Sequence, residues 1–242
     1  MNNKTPQTME EIVGERLRLR TPIESDFNWW AGWLRDPKTT RYLDHSDEHH
    51  TAANQHVWVK KALAMGRVLF VAERLDTSAP VGVCSISTVT ADPLSGHASF
   101  VFPASSARPR FAALEARALL THYAFTSLGK NQLESGQVFP GNRRWTELQQ
   151  LVGWFPESLR PLSWQKGGHF YDGIRTIAHH TTVAELAHQR LGSLWPGLAA
   201  IEEFLESNPG ALEKSIDDFV ADQRTARARI QALVSQAQAS RW

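Results

Sequence analysis

The chain has 242 residues, in which 26 Lys and Arg balance 25 Asp and Glu to a formal net charge of +1. Its 42% hydrophobic residues are enough for a packed core in one large domain, or in a domain with an appendage. The balanced charge excludes a fully disordered chain and a protein that coats nucleic acid by bulk charge. The single cysteine, Cys84, excludes an internal disulfide framework and a cysteine-rich zinc site.

No apolar run approaches the roughly 20 residues of a membrane-spanning helix, and the N-terminus has no apolar segment typical of a secretory signal. We therefore expect a cytoplasmic protein with no membrane partner. We also predict no metal site, because the adjacent histidine pairs His49-His50 and His179-His180 do not have the i, i+4 spacing of a zinc-binding helix and no second cysteine is present.

Alternating apolar and charged residues predict a strand over 15–20 at the start of the fold. Apolar residues at helical spacing predict a helix over 23–35, which Pro37 ends, and a second helix over 55–64. Three further apolar runs predict strands of a meander: 67–73, 81–87 and 97–102.

Helices and strands alternate after the meander. The pattern predicts a helix from Phe111 to Ser127, closed by Gly129, and then a strand over 132–138. Asn142 begins a helix that runs to about Val152. The last part of this region predicts a hairpin with arms 163–165 and 170–181. The order of elements indicates an α/β fold with a mixed sheet.

The last sixty residues change character. Thr182 and Glu185 form a capping box that predicts a helix start, and Asn208-Pro209 predicts another. Apolar residues continue at helical spacing between and beyond these signals. We therefore divide the chain into a domain over 1–182 and an amphipathic helical extension over 183–242.

Residues 15–181 resemble the GNAT superfamily of N-acetyltransferases, in particular its ribosomal-protein-alanine N-acetyltransferase branch. The resemblance rests on segments that occur in the family's order and spacing: Arg16-Leu-Arg-Leu-Arg-Thr-Pro22, Glu115-Ala116, Tyr123 to Gly129, Leu133-Glu134, Val138-Phe-Pro-Gly-Asn142 and Gly168-His-Phe-Tyr-Asp172. It implies a splayed mixed sheet flanked by helices, with a thioester donor between two parallel strands. It further implies acyl transfer to an amine by direct attack, aided by a general base.

The family's pyrophosphate-binding loop falls on 106–111, where the resemblance leads us to expect glycines. Pro109 and Phe111 stand at the two positions nearest the helix, and Pro109 has no N–H to offer. Arg108 and Arg110 remain as side-chain ligands for phosphate. Two alternatives follow: a slipped loop that still takes acyl-CoA, or a donor other than acyl-CoA, which we favour. No cofactor is assigned with certainty, and acyl-CoA stays open.

The resemblance assigns further candidate residues. Trp145 replaces a family serine that contacts the donor, and Asn142 precedes it; we expect both at the donor site. The family's strand carboxylate is missing from 97–102, so His97 is the candidate base. Tyr171 and Asp172 match the final hairpin and are candidate catalytic-site residues, with a role in acceptor binding. The alternative for each of these residues is a purely structural role.

The tail has basic residues without neighbouring acids near its end. Three of them, together with two arginines after Asn142, form a candidate RNA-binding set: Arg143, Arg144, Arg224, Arg227 and Arg229. This set favours acyl- or aminoacyl-tRNA as the donor and a small-molecule or peptide amine as the acceptor. The alternatives are an acyl-CoA-dependent N-acetyltransferase, or an inactive GNAT-like protein whose tail is a docking element or homodimer interface.

Overall fold

The computed structural model describes residues 10–43, 50–89, 92–104 and 108–239. Eight strands form one sheet: β1 (Ile12–Val13), β2 (Leu17–Arg20), β3 (Val68–Arg74), β4 (Pro80–Val89), β5 (Asp92–Val101), β6 (Gln132–Phe139), β7 (Phe155–Lys166) and β8 (His169–His179). Their order is β1-β2-β3-β4-β5-β6-β8-β7, and among them only β5 and β6 are parallel neighbours. The predicted mixed sheet is therefore confirmed.

Eight helices accompany the sheet in the described residues: α1 (Asp26–Arg35), α2 (Pro37–Thr40), α3 (Ala52–Ala64), α4 (Ala112–Thr126), α5 (Arg143–Leu148), α6 (His180–Gln189), α7 (Leu198–Ser207) and α8 (Ala211–Ala239). A 3-10 turn, Gln149–Val152, follows α5 directly. None of the described helices is both long enough and apolar enough to cross a bilayer.

Strand β3 separates two apolar layers because its successive side chains point to opposite faces. Phe70 and Ala72 belong to the main core, which includes α4. Leu69 and Val71 pack on the other face with α1 and α3. The sheet is thus covered on both sides, which explains why β3 is apolar almost throughout instead of alternating.

Several predicted boundaries were wrong. Helix α6 begins at His180 rather than at Thr182, because β8 leads into it without a loop through the extended residue His179. Helix α8 begins at Ala211, since Gly210 adopts φ 76° and separates Pro209 from the first turn. Strand β7 begins at Phe155, well before the predicted arm at residue 163.

The C-terminal residues pack on the rest of the chain. Leu194, Trp195 and Ile201 are buried in the main core, and the indole N–H of Trp195 donates to Glu15 at 2.6 Å. The predicted division between residues 182 and 183 falls inside α6. Helix α6 and helix α7 therefore complete the same hydrophobic core that α4 occupies.

Helix α8 has two halves with different surroundings. Ile216 and Val220 are buried in a small cluster with side chains of β6, β7 and β8. Beyond Gln223 the described side chains of α8 are exposed, including Ile230 and Leu233. The first half is therefore anchored to the sheet, and the second half extends away from it.

Candidate functional site

A pocket of about 500 Å³ lies where β5 and β6 separate. The two strands pair from Ser95 with Gln132 to His97 with Glu134, and beyond that point both continue without pairing to each other. Their other edges are paired with β4 and β8. The splay thus leaves two facing strand edges along one cavity, and that cavity also reaches the β7–β8 hairpin.

His97 and Glu134 lie side by side at the narrow end of the splay. The Nδ1 atom of His97 is 3.8 Å from Oε1 of Glu134, and Arg175 Nη1 is 3.3 Å from Oε2 of the same carboxylate. Partial burial is the main reason why the pKa of His97 is lowered, although the Glu134 carboxylate acts in the opposite direction. His97 is therefore a neutral imidazole at neutral pH, and it is 44% exposed to the pocket and solvent.

A buried guanidinium stands behind one wall of the pocket. Arg117 of α4 has no exposed surface, and its Cζ atom lies 3.9 Å from the ring centroid of Trp154. It lies 4.7 Å from the Phe100 ring and 4.9 Å from the Trp145 ring, both of which line the pocket. Burial strongly lowers the pKa of Arg117. Three aromatic faces thus surround this cation.

Neutral amides and hydroxyls connect Arg117 to the floor of the pocket. Its Nη1 donates to Oε1 of Gln149, which also accepts from Thr176 Oγ1. Gln137 in turn donates to Ser135 and Thr176, and both Gln137 and Ser135 line the pocket. The Nε and Nη2 atoms of Arg117 have no hydrogen-bond partner among the described residues.

Asn142 and Trp145, the predicted donor-site pair, both line the pocket. Asn142 occupies the position before α5, but its side chain makes no capping hydrogen bond. Its carbonyl oxygen accepts from the N–H of Trp145 at 3.1 Å. The structure therefore brings these two residues together with His97 around one cavity.

The predicted phosphate loop begins at Ser106, which lies outside the described residues. Phe111 directly precedes α4 and adopts φ 61° and ψ 14°, the left-handed conformation that favours glycine. The chain therefore keeps a glycine-like backbone there while carrying a phenyl ring. Arg110 Nη1 forms an ion pair of 2.6 Å with Glu202 of α7. Arg108 has no ion-pair or hydrogen-bond partner in the described parts of the chain.

Tyr171 and Asp172 lie on β8 and are not among the described residues that line the pocket, although the next residue of the strand, Gly173, is. Asp172 accepts a hydrogen bond of 3.0 Å from the backbone N–H of Leu162, which has a left-handed φ of 50°. That contact supports an irregular stretch of the β7–β8 pairing. The predicted role of both residues in acceptor binding stays a prediction.

Two arginines of the candidate RNA-binding set are held in ion pairs within the chain. Arg143 pairs with Glu147 at 2.9 Å and with Asp217 of α8 at 2.8 Å. Arg144 pairs with Glu147 at 2.9 Å. Both guanidinium groups therefore already have carboxylate partners.

The other members of the set lie on the extended half of α8. They are exposed, and the described residues offer them no ion-pair partner: Arg224, Arg227 and Arg229. At 1.5 Å of rise per residue they span only about one and a half turns of the helix. They are thus free to meet a polyanion, which Arg143 and Arg144 are not.

Sequence reasoning missed several residues that the structure places in the pocket or behind its wall: Glu134, Arg160 and Arg175 in the lining, and Arg117 behind it. Glu134 was recognised only as part of a family motif, yet it supplies the carboxylate that β5 lacks, from the neighbouring strand. Arg117 follows Leu114 by three positions, so it lies on the apolar face of its helix. A charged residue on the apolar face of a helix is the sequence feature that could have identified Arg117.

The sequence profile of the Acetyltransferase (GNAT) domain matches residues 16–153 of the chain. No curated protein sequence matches it. Among solved structures, a GNAT-family acetyltransferase from Bacillus anthracis is similar, with 16% identity, a TM-score of 0.61, and coverage of 70% of this chain and 98% of that one.

Two proteins from Vibrio cholerae have the same fold. Spermidine N-acetyltransferase, in a complex with CoA and spermine, is 14% identical with a TM-score of 0.63, covering 71% of this chain and 99% of that one. A putative ribosomal-protein-serine acetyltransferase is 19% identical with a TM-score of 0.56, covering 72% and 99%. The profile match extends over more than half of the chain and includes both strands of the splay. The chain therefore belongs to the GNAT family of acetyltransferases.

Proposed function

We propose that the chain transfers an acyl group from a coenzyme A thioester to the primary amine of a small molecule or peptide bound in the splay pocket. The observation that carries this proposal is the position of His97 and Glu134 at the point where the parallel strands separate. The facing edges of β5 and β6 offer backbone N–H and C=O groups to a ligand that carries amides. A linear amide-containing thioester donor fits such a gap.

The proton of the attacking amine goes to His97 in this proposal. The donor supplies an electrophilic carbonyl carbon, so that the new N–C bond forms as the C–S bond breaks. His97 is neutral at neutral pH because its pKa is lowered, so its free ring nitrogen accepts the proton. Glu134 beside it stabilises the imidazolium that results.

The donor site fits coenzyme A in part. Phe111 has the backbone conformation of the glycine that it replaces, and Arg108, whose guanidinium has no ion-pair partner among the described residues, can bind a phosphate. Asn142 and Trp145 border the cavity where the acyl arm would lie. Pro109 offers no N–H, so we expect phosphate recognition to depend more on side chains than the family resemblance implies.

The test combines ligand binding with catalysis. Acetyl-CoA at 100 times its Kd should add about 2.7 kcal/mol to the free energy of unfolding, measured by thermal shift. His97→Gln should lower kcat about 100-fold and keep that shift, since the base does not hold the donor. For the natural chain, kcat/KM should fall toward acidic pH with an apparent pKa below the ordinary value of histidine, because protonation of His97 removes the base.

Arg35→Gln is the control, since Arg35 is exposed on α1 and lies outside the pocket. Full kcat in His97→Gln would contradict the base assignment. The proposed donor would be contradicted if acetyl-, propionyl- and succinyl-CoA neither stabilise the protein nor transfer their acyl group to any of a panel of primary amines.

A second candidate donor is acyl- or aminoacyl-tRNA. Pro109 at the phosphate loop and the exposed arginines of α8 favour it. The ion pairs of Arg110, Arg143 and Arg144 weaken it, because those groups must exchange a carboxylate for a phosphate. Under this candidate, replacing Arg224 and Arg227 by Glu reduces the binding of charged tRNA and its salt dependence, measured by filter binding. Unchanged binding would remove the tail from RNA recognition.

Two finer expectations complete the proposal. A cytoplasmic location agrees with the single, buried and unpaired Cys84. A homodimer is supported by the apolar side chains on the extended half of α8, where Ile230, Leu233 and Val234 are at least half exposed. Sedimentation measurements of the full chain and of a chain ending at residue 223 test this second expectation.

A further inference from the structure

The described lining of the pocket carries an excess of positive charge. Arg160 and Arg175 face it with one carboxylate, Glu134. Arg175 forms ion pairs with Glu134 at 3.3 Å and with Glu157 at 3.7 Å. Arg160, in contrast, has no ion-pair partner among the described residues. Within the described lining, the guanidinium of Arg160 is therefore available to bind an anion.

Arg117 adds a second unpaired positive charge directly behind the wall. A guanidinium does not lose its proton in a protein, so its charge persists in spite of burial. Among the described residues its hydrogen-bond acceptor is the neutral side chain of Gln149, and its Nε and Nη2 atoms have no acceptor there. Because burial removes the screening by water, an unpaired charge there acts strongly on its surroundings.

The electrostatic effect of Arg117 extends to His97, the proposed base. The positive charges of Arg67, Arg117 and Arg175 all contribute to lowering the pKa of His97, after its partial burial. The rings of Phe100 and Trp145 line the cavity, and their centroids lie 4.7 Å and 4.9 Å from the Cζ atom of Arg117. The pocket thus has a positive potential along the wall formed by β5 and α5.

We propose that the acceptor is an amine that also carries a carboxylate, of the amino-acid type. Its amine lies at His97 and Glu134, and its carboxylate binds Arg160 in the field of Arg117. This inference rests on the proposed acyl transfer for the identity of the reacting group. A polyamine such as spermine, which is bound in the Vibrio cholerae structure, would bring several positive charges against the described lining, which is itself positive.

The reaction then balances as follows. The amine nitrogen forms a bond to the acyl carbon, the C–S bond of the thioester breaks, and the sulfur leaves as a thiolate. One proton of the amine passes to His97. The product is an N-acyl amino acid whose carboxylate is unchanged, so it retains the group that Arg160 recognises.

Matched ligands separate the carboxylate from the rest of the molecule. Each of the twenty protein-forming L-amino acids is compared with its carboxamide and with spermidine by isothermal titration calorimetry, without donor. At least one amino acid should bind about tenfold tighter than its own amide, since a charged hydrogen bond contributes on this scale. The inference is overturned if every amide binds as well as its acid, or if spermidine binds more tightly than all of them.

Substitutions show which residues cause the tighter binding of the acid than of its amide. Arg160→Gln should abolish most of the acid-over-amide preference, and Arg117→Met should reduce it several-fold. Arg117→Met should also leave the melting temperature unchanged or raised, because an apolar side chain suits that buried site. Arg35→Gln, with the same loss of charge outside the pocket, should keep the full preference. An unchanged preference in Arg160→Gln overturns the assignment of the carboxylate site.

The binding experiment and the acyl-transfer experiment test different claims, so either claim can be wrong while the other holds. If an amino acid is preferred over its amide but accepts no acyl group from any CoA thioester, the proposed function is wrong and the recognition stands. If acyl transfer occurs only to amines without a carboxylate, the proposed function stands and this inference is wrong.

Discussion

Phe111 has a backbone conformation that its own side chain disfavours. A left-handed residue with a Cβ atom costs roughly 1–2 kcal/mol, a cost that glycine avoids. The ring is partly buried against the main core, and the guanidinium of Arg110 lies 4.7 Å from its centroid. Packing of the ring thus offsets strain in the main chain at the start of α4.

Two substitutions separate these effects. Phe111→Ala removes the ring and keeps the strain, whereas Phe111→Gly removes both. We expect Phe111→Gly to be about 1 kcal/mol more stable than Phe111→Ala, measured by urea denaturation. Inside α4 the order reverses, so Ala113→Gly should destabilise the protein by roughly 0.5–1 kcal/mol. Equal stability of Phe111→Ala and Phe111→Gly would show that the backbone is unstrained.

At the scale of elements, two isoleucines of α8 differ in their exposure and can be compared directly. Ile216 is fully buried, and Ile230 is 62% exposed on the same helix. Ile216→Ala should lower the free energy of unfolding by about 2–4 kcal/mol, because it leaves a cavity against β6, β7 and β8. Ile230→Ala should change it by less than about 0.5 kcal/mol. Chemical denaturation measures both, and similar losses would mean that the extended half of α8 is also covered.

Elements with strong periodicity could be predicted from the sequence. Helix α4 and the paired strands β3 and β4 came within a few residues, since one apolar pattern covers each of them. Strand β7 was largely missed because register shifts between Arg160 and Trp164 interrupt its alternation. The contacts of Arg110 and Arg143 with α7 and α8 were beyond prediction, because residues about 70 or more positions apart form them.

At the scale of the whole molecule, the family domain and the C-terminal helices share a core. Trp195 and Ile201 are buried in the same cluster as Leu17 and Leu120. A chain ending at residue 182 should therefore expose an apolar surface that the full chain covers. We expect it to bind the dye ANS and to unfold at a lower denaturant concentration. A chain ending at residue 223 is the control, since it keeps all these contacts.

Trp195 and Ile201 come late in the chain, and this order has a consequence for synthesis. A ribosome releases the sheet and α4 before the residues that cover them. Until the last quarter of the polypeptide emerges, the nascent chain presents an uncovered apolar face, the type of surface on which chaperones act. Translation that stops early would therefore yield an aggregation-prone fragment and not a smaller working enzyme.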